Sequence, residues 1–371
     1  MDTDIKKGRH RIFSSRVFSG ISKNPHSISR VTFFTGFLLD TLTLPRIDVS
    51  IVHILIFTYL CIAGLSIFLV QFFIARTPRS SRLVTALPYV IQFTFGALLS
   101  ALFLYYFRSA SFAGSWVFLL VLGGISIGNE FLRTRYRLLE FQLSVYFIIF
   151  FAFMIFYVPI LFKHIGIDTF IVAGGVSLVV LSLLIFFLLR VIPSSERGRV
   201  RKKIAFGIGM SYVLFNALYF THIIPPIPLV LKQADAYHFV SRDEYGRYVG
   251  LEEQRGWYER YVSYVPTYRL NARDAIYFFS AVFAPTALQT PIVHEWQYLD
   301  PESDSWITRT EIKFPITGGR EEGYRAYSMK NNVSPGRWRV LVKTEDGAVL
   351  GRKNFRIILV DTPLLLHERA L

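Results

Sequence analysis

Three polar side chains lie close together near the C-terminal end of the chain: Arg325, Ser328 and Lys330, shortly before Pro335-Gly336. A guanidinium is a planar fork of donors, and beside a hydroxyl and an ammonium it suits a small anion or a sugar carboxylate. The competing role for Arg325 is structural: pairing with a carboxylate or carbonyl inside a β domain and holding the loop. Trp296, Trp306 and Trp338 offer rings on which a sugar can stack. Their strand positions point inward, however, where core packing is the ordinary use of an indole. The binding candidates are therefore Arg325, Ser328, Lys330, Trp296 and Trp338.

A second set of ionisable residues lies in the N-terminal two thirds: Asp40, His53, His164, Asp168 and His222. Imidazoles and carboxylates ligate first-row metals, and ionisable groups in apolar segments invite a functional reading. No His-x3-His and no paired carboxylate fixes a ligand spacing among them. All five fall near segment ends that water reaches, so they are metal candidates without a defined ligand set. No cofactor is indicated. Gly207-x-Gly209 has no strand before it and is not a dinucleotide loop. Like Gly123-Gly124 and Gly174-Gly175, it supplies small residues for close helix packing. Nucleophile-elbow, phosphate-loop and kinase signatures are missing. The single cysteine, Cys61, excludes a disulfide framework and a Cys-based zinc site.

The elements that must position these residues are of two kinds. The chain has 371 residues, 52% of them hydrophobic and only 18% charged, with 35 Phe and 20 Tyr, a composition opposite to that of disordered chains. Six stretches are long enough for a membrane helix, which needs about 20 apolar residues. They are Ile51–Ile74, Leu83–Phe107, Ala113–Ile127 with its flanks, Leu139–Phe162, Phe170–Ile192 and Ile204–Pro225. After about residue 231 no such stretch recurs.

Charge divides at the same place. Residues 1–231 hold 22 basic and 8 acidic side chains, a net of +14, whereas residues 232–371 hold 19 and 18. The soluble part is therefore nearly neutral, which argues against nucleic acid as a partner. The basic excess sits between spans. Arg76, Arg79 and Arg82, then Arg133, Arg135 and Arg137, then Arg190, Arg197, Arg199, Arg201, Lys202 and Lys203 occupy alternate loops, against only Arg108 and Lys163 in the others. Basic loops stay in the cytoplasm, so the chain leaves the sixth span on the outer side.

Residues 1–30 carry seven basic side chains and read as a cytoplasmic tail. That needs one more crossing. Val31–Leu44 spans about 21 Å as a helix, so it is either a short tilted span or an interfacial, re-entrant helix.

From Ala275 onward, strands alternate with turns. Ala275–Ala284 is a buried run. Ile292, His294, Trp296 and Tyr298 share one face, and so do Trp306, Thr308, Thr310, Ile312 and Phe314. Trp338, Val340 and Val342 oppose Arg337, Arg339 and Lys343, and Asp346-Gly347 predicts a type I′ hairpin turn. Several short strands with such turns predict an immunoglobulin-like sandwich. Ala236–Ser241 and Arg247–Glu252 predict a further hairpin. Gln254–Asn271, rich in Tyr and Trp, either lies along the membrane interface or packs on the sandwich.

The domains expected are a tail at 1–30, a membrane helical bundle at 31–231, a juxtamembrane hairpin and aromatic segment at 232–274, and an all-β sandwich at 275–371. The bundle comprises six long spans plus the short N-terminal segment.

The motifs Gly323-Tyr-Arg-Ala-Tyr-Ser-Met-Lys330, Ser334-Pro-Gly-Arg-Trp-Arg-Val340 and Glu345-Asp-Gly347, with Trp296 upstream, resemble the signature of the bacterial domain of unknown function numbered 2914. Ile224-Pro225-Pro226-Ile227-Pro228-Leu229 and Gly36-Phe37-Leu38-Leu39-Asp40 are similar to membrane-side features of such proteins. The resemblance implies a polytopic half joined to a C-terminal β domain in the Gram-negative inner membrane, with that domain periplasmic. It brings no catalytic residues. The partners expected are the bilayer and an envelope glycan, lipid or protein. The reading leans away from an enzyme. Its alternative is a transporter or membrane enzyme with a site at the outer ends of the spans, regulated by the β domain.

Overall fold

The computed structural model describes residues 50–76, 82–109, 115–131, 138–226, 228–253, 265–271, 274–285, 288–320 and 322–371. Asp40, the basic tail, Val31–Leu44 and residues 254–264 of the aromatic segment lie outside these.

Six helices come first: α1 Ser50–Arg76, α2 Arg82–Ser109, α3 Trp116–Phe131, α4 Leu139–Phe162, α5 Ile167–Val191 and α6 Ser194–Phe220. Five of them are long and apolar enough to cross a bilayer. The exception is α3, whose 16 residues reach about 24 Å. Of the six expected spans, this one falls short of the length among the described residues.

The helix at the centre is α4. It is apolar on every side, and 72% of its most apolar window is buried, against 28% for α5 and α6. A helix without a polar face has nothing to offer water and packs inside. Phe151 of α4 meets Phe170, Tyr212 and Phe215 at 5.0–5.7 Å. Small residues set the spacing. A Cβ at Gly207 of α6 would come 2.3 Å from the Ser144 hydroxyl of α4, so glycine permits the approach of the two helices. Asn216 of α6 donates back to the Tyr212 carbonyl of its own helix at 2.8 Å.

The two ends of the bundle differ. At one, Lys203 of α6 pairs with Glu140 of α4 at 2.9 Å, and Arg197 caps the carbonyl of Ile192. The C-terminus of α1, with Arg76, reaches the same end. Its N-terminal His53 sits against Phe156 and Tyr157 at the far end of α4, and the 27 residues of α1 span about 40 Å. The far end carries the β domain. There the Gln289 backbone N–H donates to the carbonyl of Lys163 at 2.9 Å, and Phe283 and Val230 pack into the bundle core.

Eleven strands follow among the described residues: β1 Val230–Tyr237, β2 Phe239–Arg242, β3 Tyr248–Glu253, β4 Thr267–Leu270, β5 Ile276–Phe283, β6 Gln289–Asp300, β7 Ser305–Thr317, β8 Tyr324–Lys330, β9 Gly336–Thr344, β10 Val349–Leu359 and β11 Leu366–Ala370. They form a β1-β5-β8 sheet, a β4-β10-β9-β6-β7 sheet and a small β11-β3-β2 sheet. The first two enclose a core of Phe278, Val282, Trp296, Trp338, Val340 and Phe355. The third covers the back of β5, over Phe279 and Ala281. Segment 232–274 thus supplies strands to all three sheets.

Two local expectations are corrected. A bulge in β7 pairs Trp296 with Thr310 and Gln297 with Thr308, leaving Arg309 as the extra residue. An extra residue reverses the alternation beyond it. Thr310, Ile312 and Phe314 face the core as expected, but Thr308 and Trp306 turn to the outer face. The β9–β10 turn is also not type I′, which needs positive φ at both central residues. Only Gly347 has it, at 91°, and Glu345-Asp346-Gly347 form a three-residue loop closed by Thr344 and Ala348.

Candidate functional site

Arg325, Ser328 and Lys330 do not converge. Arg325 lies opposite Ala281 on the face of β8 turned away from the sandwich core, where its guanidinium pairs with the well-exposed Glu322. Ser328 faces the core and is 3% exposed. Lys330 shares its face at the strand end, donating to Thr310 and lying 5.6 Å from the Trp338 ring centre. Partial burial lowers the Lys330 pKa, and the nearby Arg309 lowers it further. Trp338 is itself buried, contacts Tyr298 at 5.1 Å and donates to the Ser334 carbonyl. Of the five candidates, the structure brings together Lys330 with Trp338 and Ser328 with Trp296.

The Ser328 hydroxyl is the hub of a buried network. It accepts from Trp296 Nε1 at 3.0 Å and bonds to His294 Nδ1 at 2.9 Å, while His294 Nε2 bonds to Ser280 at 2.7 Å. The network ties β5 and β8 of one sheet to β6 of the other. Burial pushes the His294 pKa down to about 3, so the ring is neutral and its two nitrogens can be one donor and one acceptor. A serine beside an imidazole is the beginning of a nucleophile–base pair. Here Ser280, His294 and Ser328 are all buried, and no carboxylate backs the ring. Without access for a substrate, the arrangement is a polar clasp. His294 was visible on the inward face of its strand, but alternation alone does not distinguish a clasp from packing.

Of the His164, Asp168 and His222 candidates, the first two touch, and all three lie around Asp346. His164 Nε2 lies 2.7 Å from Asp168 in the turn leading into α5. His222 ends α6 and faces the β9–β10 loop; a Cβ on Gly347 would stand 3.5 Å from its Nε2. Asp346, which the sequence reading missed, completes the group. Its carboxyl pKa is raised by burial and by Glu345 and Asp168, with His222 and His164 opposing. Asp346 owes this position to the sandwich docking on the bundle, a contact that local sequence does not encode.

Beside these groups lies a mostly apolar cavity of about 60 Å³, lined by Pro159, Phe170, Tyr219, Pro225, Asp346 and Ala348 among others, with room for a few waters. His53 stays apart, among rings of α4. Among the described residues no three His, Cys, Asp or Glu side chains are arranged to hold a metal ion.

On the outer face of the five-stranded sheet, Glu295 is nearly buried. Burial alone would raise its pKa, but bonds from Lys343 at 2.5 Å, from Thr308 and from Gln297 outweigh that and hold the carboxyl below its usual range. Arg339 donates to Gln297 and lies over the Trp306 ring at 4.2 Å. The Trp306 turned outward by the bulge is the platform for this cation–π contact.

The architecture is that of an apolar helical bundle carrying a β-sandwich. Residues 289–357, from β6 into β10, match the model of a family described as Protein of unknown function (DUF2914), the family that the motifs around Trp296, Arg325 and Trp338 resemble. No curated protein matches the chain. Among solved structures, an immunoglobulin-like protein from Pseudomonas aeruginosa is similar over 36% of this chain and 98% of its own, at 10% identity and a TM-score of 0.22. An alkylpurine DNA glycosylase from Pseudomonas fluorescens, bound to DNA containing an abasic site analogue, is similar over 80% of this chain and 97% of its own, also at 10% identity and a TM-score of 0.22.

Proposed function

We propose that this chain is a multi-pass protein of a bacterial inner membrane that holds its β domain on the periplasmic side and uses it to bind an envelope component. The observation that carries this reading is the two-ended bundle. Arg76, Arg190, Arg197 and Lys203 gather at one end, and the β domain docks at the other through Lys163, His222 and Pro225. Basic ends remain cytoplasmic. Within the sandwich the reactive-looking groups are sealed in the core, which favours binding over catalysis.

Reporter fusions at residues 200 and 371 of the full chain test the topology: opposite signals are expected, and equal signals would overturn it. Crosslinking of the full chain in intact cells tests the binding. Adducts formed by the β domain with envelope material are expected, and adducts confined to cytoplasmic proteins would refute the reading.

A transporter or membrane enzyme is the second reading. It draws on the junction cavity, with His222 and Asp346 beside it. Loss of function on His222→Ala with normal partner capture would favour it.

A further inference from the structure

The outer face of the five-stranded sheet carries more arginine than its own structure uses. In the β9–β10 register, Arg356 lies opposite Arg337, Asn354 opposite Arg339 and Arg352 opposite Leu341. Residues opposite one another share a face, so all four arginines and Asn354 project from the side away from the core. Strand geometry spaces them on a grid of about 5 by 7 Å.

None of the four guanidiniums pairs with a carboxylate among the described residues. Glu295, the acidic group nearest Arg339, is already neutralised by Lys343. Burial lowers the Arg339 pKa, and the like charge of Arg352 lowers it further, with Glu295 opposing. Like charges held side by side repel unless an opposite charge offsets them. Two further groups narrow the chemistry. The Asn354 Oδ1 is buried and without a hydrogen-bond partner. Trp306 lies against Arg339 and presents an indole beside the grid.

We infer that this face binds an acidic glycan: a chain of sugars bearing carboxylate, sulfate or phosphate groups. Anionic groups meet the guanidinium forks, a sugar hydroxyl donates to Asn354, and a sugar ring lies along Trp306. Polarity along the strands separates this partner from the protein's own bilayer. The Thr344 end of β9 abuts the helical bundle, while Arg337 lies toward the other end, about 23 Å further out. The inference rests on the binding function proposed above and specifies its ligand class and surface.

The test uses the full chain in detergent micelles and measures binding to polygalacturonate, heparin, inorganic polyphosphate, neutral dextran and vesicles containing phosphatidylglycerol. Polygalacturonate and heparin are expected to bind, with affinity falling as salt rises. Arg337→Ala with Arg356→Ala should weaken both at least tenfold, while Arg337→Lys with Arg356→Lys should restore part of the loss. Asn354→Ala should weaken the two glycans and leave polyphosphate unchanged. Arg242→Ala with Arg320→Ala, outside the grid, should change nothing.

Equal binding by the Arg337/Arg356 alanine variant would overturn the inference, as would vesicle binding with the same arginine dependence. Dextran binding that ignores the arginines would remove this site and leave glycan binding standing. Failure to bind any glycan would remove the inference alone, since the fusions and cellular crosslinks test the broader reading separately.

Discussion

His294 and Ser328 are 34 residues apart in the chain and 2.9 Å apart in the structure, and their contact joins the two sheets of the sandwich from inside. A neutral imidazole is what this position tolerates, and that makes the β domain sensitive to acid.

The sign follows from linkage. The His294 pKa is about 3 in the folded protein, below the ordinary value near 6.5, so the unfolded chain takes up the proton first as pH falls. Stability from this group is complete above about pH 6.5 and is lost at up to about 1.4 kcal/mol per unit below that. Urea midpoints read by tryptophan fluorescence should fall between pH 6 and 4 in the wild type. The fall should be shallower in His294→Gln, and parallel slopes would show that other groups govern acid lability.

Ser328→Ala removes the hub. Trp296 Nε1 and one His294 nitrogen are then buried without a partner, each costing about 1–3 kcal/mol. The β domain should be destabilised by about 2–6 kcal/mol. A loss under 1 kcal/mol would mean that water replaces the hydroxyl.

Arg325→Ala should do little to the fold. Its partner Glu322 is well exposed, and exposed pairs contribute about 0–1 kcal/mol. The sequence favours a buried carboxylate partner and a loss of about 3–5 kcal/mol on removal; the structure corrects this, pairing Arg325 with an exposed carboxylate at the surface. A unit-sized or smaller change in the unfolding free energy is the expected outcome, and a large drop would refute the surface assignment.

His222 holds a left-handed backbone conformation, φ 55°, where the chain leaves α6. Side chains other than glycine pay about 1–2 kcal/mol there. His222→Gly should therefore be more stable than His222→Ala in thermal melts of the full chain. Equal melts would show that the helix end relaxes once the imidazole is gone.

Much of the β domain was legible because its strands alternate cleanly. Trp338, Val340 and Val342 of β9 face the core and Arg337, Arg339 and Lys343 face out, as their period of two requires. Trp306 was misread because one inserted residue, Arg309, inverts the phase of β7, and nothing in the residue types marks the insertion. The turn at Asp346-Gly347 was located correctly but assigned the wrong geometry. His164, Asp168 and His222 were noticed one by one, whereas their meeting with Asp346 depends on tertiary docking. The arginine grid was visible only as alternate charges on β9; its second row comes from the register of β10.

The junction also has a mechanical meaning. Only the nine residues between Phe220 and Val230 connect α6 to β1, and they include Pro225 and Pro226, which stiffen the chain. The Gln289 backbone N–H grips the Lys163 carbonyl at a second point, and the Gly347 loop rests against His222 at a third. A domain fastened at three points does not swing freely. A sideways pull at its outermost strand ends is therefore delivered as torque to α4, α5 and α6, with the β domain as a lever arm and the helix ends as its fulcrum.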